Sequence, residues 1–278
     1  MPELPEVETI VRGIAPRLTG RSVHNARLFK SDVLRGVSAR KLLGTLRGNR
    51  ITGVTRRAKH VVISLETGER MVIQPRMTGS LIVYDRPLEA EEKRYVVLQA
   101  ELGKRSSMVY RDVRRLGTIS LLDEAAWAAY TAAIGPEPLT DCFDRSAFVK
   151  RLQGTRQAIK KALMDQRRIA GIGNIYANEA LFRARIDPSR RTDRLSDEDM
   201  KRLYRAVRHV LRQAIRAGGT TIRDYRNATG GKGSYQRILL VYGRGGTPCR
   251  RCRTPLLTTH DIDGRATTFC WRCQGAGS

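Results

Sequence analysis

The chain is short of acidic charge: 27 Asp and Glu face 52 Lys and Arg, a formal net charge of +25. Aromatic residues make up only 6%, and there are four His and five Cys. No apolar run approaches the ~18 residues of a membrane helix. The opening MPELPEVETIVRG is acidic where a secretory leader is basic and then apolar. These absences argue against a membrane or secreted protein and lead us to expect a cytoplasmic, nucleoid-associated one. In such a reducing compartment disulfides are a poor use for cysteine. The cations are mostly Arg, 42 against 10 Lys. A genome rich in G and C would favour Arg over Lys, but it would not create an excess of base over acid. A surface this cationic needs a polyanion, and nucleic acid fits best. An anionic membrane comes second, unsupported by any basic amphipathic segment with a broad apolar face.

What is present fits a globular chain. Its 278 residues are 41% hydrophobic and 28% charged, enough for one large core or two smaller ones. Residues 3–19 carry Val7, Ile10, Val11, Ile14 and Leu18 at helical spacing, with Gly20 as the stop and Pro16 disturbing the last turn. From 21 to 122 short β-branched runs follow one another, at 60–66, 70–74, 80–84, 95–102 and 118–122, separated by turn residues. They predict an antiparallel sandwich or barrel. IGPEPLTD (134–141) reads as a linker. Beyond it the pattern is helical at 157–166, 174–184 and from Ser196 to the Gly218-Gly219 stop. Residues 225–235 are glycine-rich and polar, a loop composition.

Three features carry chemistry. Cys249-x2-Cys252 and Cys270-x2-Cys273 have the spacing of a four-thiolate metal site, and we expect one structural Zn2+. With all four ligands supplied by thiolate, no open position is left for catalysis. Arg250, Arg251, Arg253, Arg265 and Arg272 crowd this hairpin, which suits it to phosphate. Gly171-Ile172-Gly173-Asn174 precedes a helix, and helix N-termini attract anions; Lys160, Lys161, Arg167 and Arg168 lie just before it. An ordinary turn between helices remains the alternative. Finally, Met1 precedes Pro2. Loss of the initiator residue would leave a secondary amine of pKa about 8, partly neutral near pH 7 and able to act as a nucleophile. Glu3 and Glu6 stand close by as proton-transfer candidates. The plainer reading is a proline that merely opens a helix.

PELPEVE (2–8) resembles the N-terminal signature of the formamidopyrimidine-DNA glycosylases. Arg57-Ala58-Lys59, Met77-Thr78-Gly79-Ser80, Gly135-Pro136-Glu137-Pro138-Leu139, the Gly171–Tyr176 segment, Gly218-Gly219-Thr220 and the paired CxxC motifs follow in the family's order, over essentially the whole chain. The resemblance implies a multidomain α+β protein. Its parts are an N-terminal helix with a catalytic antiparallel β-sandwich (1–133), a linker (134–142), a helix–two-turns–helix domain with a lesion loop (143–242) and a zinc-finger hairpin (243–278). It implies a monomer that excises oxidised purines such as 8-oxoguanine from duplex DNA and cleaves abasic sites, with DNA in the cleft between domains.

Roles follow from the same resemblance. Pro2 corresponds to the Schiff-base nucleophile and Glu3 to the general acid. Lys59, counted with the catalytic residues, Asn174 and Arg265 correspond to contacts on the kinked phosphate backbone, and Glu6 to a carboxylate near the lesion nucleotide. Lys160 is placed with the DNA contacts from its position in the basic run before the glycine turn, not from the resemblance. Met77, Arg114 and Leu116 occupy the three positions inserted where the damaged base leaves the stack. The third is usually Phe in the family, so Leu116 keeps an apolar wedge without its aromatic face. The loop 220–236 corresponds to the one that closes over the extruded base. An endonuclease VIII type acting on oxidised pyrimidines is the nearest alternative, disfavoured by Leu4, Val7 and the Met77–Arg114 pair. A non-catalytic zinc-ribbon DNA-binding protein is the second.

Overall fold

Helix α1 (Leu4–Leu18) lies within the predicted 3–19 and begins after Glu3 as its N-cap. Glu3 and Glu6 form a reciprocal capping box, each side chain accepting from the other residue's backbone N–H. Pro16 removes one donor but does not end the helix, because it falls in the last turn. Val7, Ile10, Val11, Ile14 and Leu18 form its buried stripe, as their spacing predicts. The computed structural model describes residues 2–220 and 233–275. These fall into two compact units, Met1–Ala132 with Ala217–Ser234, and Ala133–Arg216 with Tyr235–Ser278.

In the first unit β1 (Asn25–Leu28) and α2 (Ala39–Leu46) precede a run of strands. These are β2 (Ile51–Arg57), β3 (His60–Leu65), β4 (Arg70–Gln74) and β5 (Gly79–Tyr84). The one-turn α3 (Ala90–Lys93) leads to β6 (Val96–Glu101), β7 (Ser107–Asp112) and β8 (Thr118–Leu122), and α4 (Glu124–Ala132) closes the unit. The strands make two four-stranded sheets, β1-β6-β7-β5 and β2-β3-β4-β8, with every neighbouring pair antiparallel. Val61, Ile63, Met71 and Ile73 of one sheet and Leu81, Leu98, Met108 and Tyr110 of the other share one core with the stripe of α1. The expected α+β sandwich with an N-terminal helix is therefore present. The expected runs at 60–66, 70–74, 80–84, 95–102 and 118–122 each contain a strand.

The second unit contains α5 (Arg145–Leu152), α6 (Ile159–Met164), α7 (Asn174–Ala184) and α8 (Asp197–Arg216). Ser196 caps α8 as expected: its hydroxyl accepts from Asp199 N–H at 3.1 Å while Asp199 accepts from Ser196 N–H at 3.0 Å. α8 packs along α7. The segment read as a linker is stitched down, with Gly135 N–H on the Gln166 carbonyl at 2.8 Å and Ala170 N–H on that of Pro136 at 3.0 Å. A Cβ at Gly135 would lie 2.6 Å from the Arg168 carbonyl, so no larger residue fits there. Glu179 is buried on α7 and accepts from the backbone N–H groups of Leu240, Val241 and Tyr242, each at 2.9 Å. This clasp leads the chain into the hairpin β9 (Leu257–Thr259) and β10 (Thr267–Phe269), followed by α9 (Trp271–Gln274). No helix among the described residues is long and apolar enough to cross a membrane.

Candidate active site and nucleic-acid interface

The N-terminal centre is built on the capping box. Pro2 and Glu3 are both buried. One Glu6 oxygen accepts from Glu3 N–H at 2.8 Å, the other from Thr220 N–H at 2.7 Å. Glu6, expected beside a lesion nucleotide, thus fixes both the start of the chain and the turn after α8. Gly219 makes that turn possible: its φ is +79°, and a Cβ there would lie 3.0 Å from Glu6 Oε1. Most of the expected lesion loop, 221–232, lies outside the described residues.

Lys59 is buried in the two-residue loop between β2 and β3. Glu8 of α1 holds this loop in place. Its carboxylate accepts from Arg56 Nε at 2.9 Å, and Arg56 Nη1 donates to the Ala58 carbonyl at 3.1 Å. Burial works against the Glu8 charge, but the Arg12 and Arg56 guanidinium groups outweigh it and keep this carboxyl below its ordinary value. On the other side of the loop, burial holds His60 down at about 4, so it is neutral at pH 7. Its Nδ1 lies 3.1 Å from the Arg57 carbonyl and its Nε2 3.0 Å from the Tyr130 hydroxyl of α4. A carbonyl only accepts, so Nδ1 carries the proton and Nε2 accepts from the tyrosine. Sequence reading saw neither brace, because each pairs residues on different elements.

Met77 and Arg114 come together at adjacent strand ends, with Arg114 Nη1 3.8 Å from the Met77 sulfur. Met77 is 47% exposed and Leu116 38%. Large apolar side chains held outward beside a cation suit insertion into a base stack. Leu116→Ala is therefore expected to leave the melting temperature nearly unchanged. It should slow excision of a paired lesion by about tenfold, since wedge contacts offset unstacking worth a few kcal/mol. Cleavage at a pre-formed abasic site should change far less, and Leu116→Phe should be tolerated. Equal loss on both substrates with a large melting shift would place Leu116 in the core instead.

In the second unit Lys160, Asn174 and Arg265 converge on one turn. Asn174 Nδ2 donates to the Ala266 carbonyl at 3.0 Å, beside exposed Arg265. Lys160 was expected at a phosphate, but its side chain is fully buried. Its ammonium donates to Asp263 at 2.9 Å and to Thr267 Oγ1 at 2.8 Å. Asp263 also accepts from Arg265 N–H at 3.2 Å. Lys160 therefore braces the turn carrying Arg265 from beneath. Among the finger's arginines, Arg251 stacks over Phe182 at 4.8 Å and Arg250 reaches the Arg237 carbonyl at 3.5 Å.

The Sγ atoms of Cys249, Cys252, Cys270 and Cys273 lie within 4.8 Å of one another. A tetrahedral ion with bonds of about 2.3 Å needs sulfurs about 3.8 Å apart. Two of the pairs here stand at 3.4 and 4.0 Å, so the four thiols fit a metal site.

The chain as a whole is similar to known proteins. Residues 1–119 match the family model described as the formamidopyrimidine-DNA glycosylase N-terminal domain, and 134–226 match that of its H2TH domain. A formamidopyrimidine-DNA glycosylase of Thermomicrobium roseum is 45% identical, over 99% of both chains. Two solved structures of Lactococcus lactis Fpg resemble the chain at a TM-score of 0.90 and 31% identity, covering 99% of this chain and 100% of theirs. One is a mutant bound to DNA containing Fapy-dG, the other a complex with abasic-site DNA. With both family models matching in order along the sandwich and the helical unit, and a relative 45% identical over the full length, the chain belongs to the formamidopyrimidine-DNA glycosylase family.

Proposed function

We propose that the chain excises oxidised purines, 8-oxoguanine and formamidopyrimidines, from duplex DNA and then cuts the strand at the resulting abasic site. The observation that carries this reading is the buried Pro2-Glu3 start held by Glu6, in a chain that matches a DNA glycosylase from end to end. The lesion nucleotide is flipped from the duplex while Met77, Arg114 and Leu116 fill the gap. The secondary amine of Pro2, freed by removal of Met1, attacks C1′, the glycosidic bond breaks, and the base leaves with its bonding electrons. Glu3 supplies and recovers protons as general acid. The iminium left on C1′ draws electrons from the sugar. Loss of a C2′ proton lets β-elimination break the C3′–O bond, and loss of a C4′ proton lets δ-elimination break the C5′–O bond; each phosphate leaves with its bonding electrons, and water hydrolyses the remaining iminium, which frees Pro2 and leaves a one-nucleotide gap. Lys59, Asn174 and Arg265 hold the phosphates of the bent strand. Cys249, Cys252, Cys270 and Cys273 would hold one structural Zn2+, which would supply the cross-link for a hairpin with too little apolar area to fold alone. The reading places a monomer on DNA in the cytoplasm.

Single-turnover excision from matched duplexes tests the lesion class. An 8-oxoguanine duplex should be processed at least about tenfold faster than one carrying an oxidised pyrimidine, a margin that pocket contacts readily supply. The reverse order would assign the endonuclease VIII type instead.

A further inference from the structure

Asp112, at the end of β7, is the acid that the insertion residues are built around, and it is only 1% exposed. One carboxylate oxygen accepts from the Thr78 hydroxyl and from Arg115 N–H at 3.0 Å. The other accepts from Gly117 N–H at 2.8 Å and the Tyr110 hydroxyl at 3.2 Å. Burial, and then the Asp112 charge itself, pushes the Tyr110 phenol upward, so it remains a donor. Thr78 completes the link: its oxygen accepts from Arg114 N–H at 3.1 Å while its proton goes to Asp112. The segment carrying Met77 and the loop carrying Arg114 and Leu116 are thereby joined through one hydroxyl and one carboxylate.

The surrounding backbone is shaped to this contact. A Cβ at Gly117 would lie 2.0 Å from the Tyr110 hydroxyl and 2.9 Å from Asp112 Oδ2. A Cβ at Gly79, the cross-strand partner of Asp112, would lie 2.4 Å from the Pro75 carbonyl. Arg115 sits at φ +50°, a conformation unfavourable for a side chain with a Cβ, and its N–H is one of the four donors to the carboxylate. A buried, fully engaged network of this kind fixes geometry in advance.

We infer that Asp112 and Thr78 are positioning residues that hold Met77, Arg114 and Leu116 in insertion geometry before DNA arrives. This rests on the reading of those three as the inserted side chains. The side chains themselves are exposed, whereas the backbone that carries them is tied to a buried acid. Ordering the loop therefore takes no binding energy when the base leaves the stack.

The test compares single-turnover excision of 8-oxoguanine with cleavage at a pre-formed abasic site, alongside melting temperature. Thr78→Val keeps the volume and removes the link; it should slow excision about tenfold, the worth of a hydrogen bond to a charged group, and abasic-site cleavage under threefold. Thr78→Ser should restore excision to within about threefold of the parent. Should Thr78→Val fail to fold, Asp112→Asn gives the same comparison, because its amide NH2 faces donors in place of an acceptor. A variant with Met77, Arg114 and Leu116 all changed to Ala separates the two readings. If it excises normally, the insertion reading is wrong. If it is slow while Thr78→Val and Asp112→Asn excise at the parent rate, insertion stands and the clamp is overturned. Adding Thr78→Val to it should slow excision no further, and a further tenfold loss would refute the clamp. Equal loss on both substrates with no rescue by Ser would also refute it.

Discussion

A chain bearing one extra residue ahead of Pro2 should form no borohydride-trapped adduct with abasic DNA, and its strand cleavage should fall by about a thousandfold or more, as when other enzymes lose a nucleophile. Acylation converts the Pro2 nitrogen into an amide, whose lone pair is delocalised and cannot attack C1′. As a free amine with a pKa of about 8, roughly a tenth of it is neutral at pH 7. The fold should survive the extension. Helix α1 is capped by Glu3 and Glu6, and neither bond of that box uses the Pro2 nitrogen. Melting temperature and affinity for undamaged duplex should therefore stay near the parent values. Pro2→Gly keeps a primary amine and should keep partial trapping. Full cleavage by protein shown by mass spectrometry to retain Met1 would remove Pro2 from the mechanism.

Lys160→Ala should destabilise the second unit by about 3–5 kcal/mol, the usual consequence of leaving one partner of a buried ion pair alone. Asp263 has little else to turn to. Among the described residues its Oδ1 keeps only the longer contact from Arg265 N–H, and its buried Oδ2 has no hydrogen-bond partner. The turn 263–266 would relax, and Arg265 and the Ala266 carbonyl held by Asn174 would relax with it. DNA affinity should fall together with melting temperature. Changing both partners, Lys160→Met with Asp263→Asn, should recover much of the stability, since no buried charge is then uncompensated. A Lys160 that touched phosphate directly would behave otherwise. Melting would be unchanged and the log–log salt slope of binding would drop by about 0.9. Calorimetry and a salt titration on the same variants decide between the two.

Lys160 also marks where sequence reading stops. The basic run around it was visible, but the acid that buries it stands 103 residues away. Local patterns were legible. α7 begins and ends where spacing put it, α8 starts after its Ser196 cap, and the cysteine spacing brings four thiols together. The strands that escaped notice have physical reasons for it. β1 is a four-residue edge strand, and β2 carries a register shift at Ile51/Gly53 that breaks its alternation. β7 buries Ser107 and Asp112 at its two ends, so its apolar signal shrinks to Met108, Val109 and Tyr110. The same burial hid the acids that organise the molecule. Glu179 sits within an otherwise apolar helix face, and its three donors lie 61 to 63 residues downstream. Asp112 is hidden in the same way: three of its four donors belong to the loop that follows it and to a different strand end.

The bond from Thr220 to Glu6 spans 214 residues and sets an order of events during synthesis. The amino end emerges from the ribosome first, yet this contact cannot form until the chain has been extended past residue 220. Contacts so distant in sequence close late, after the local helices and hairpins they depend on. The nascent amino end therefore lacks this Glu6-mediated tether for most of translation. On the reading of Pro2 as the nucleophile, trimming of the initiator methionine has that interval in which to occur, before the Thr220 contact closes on Glu6.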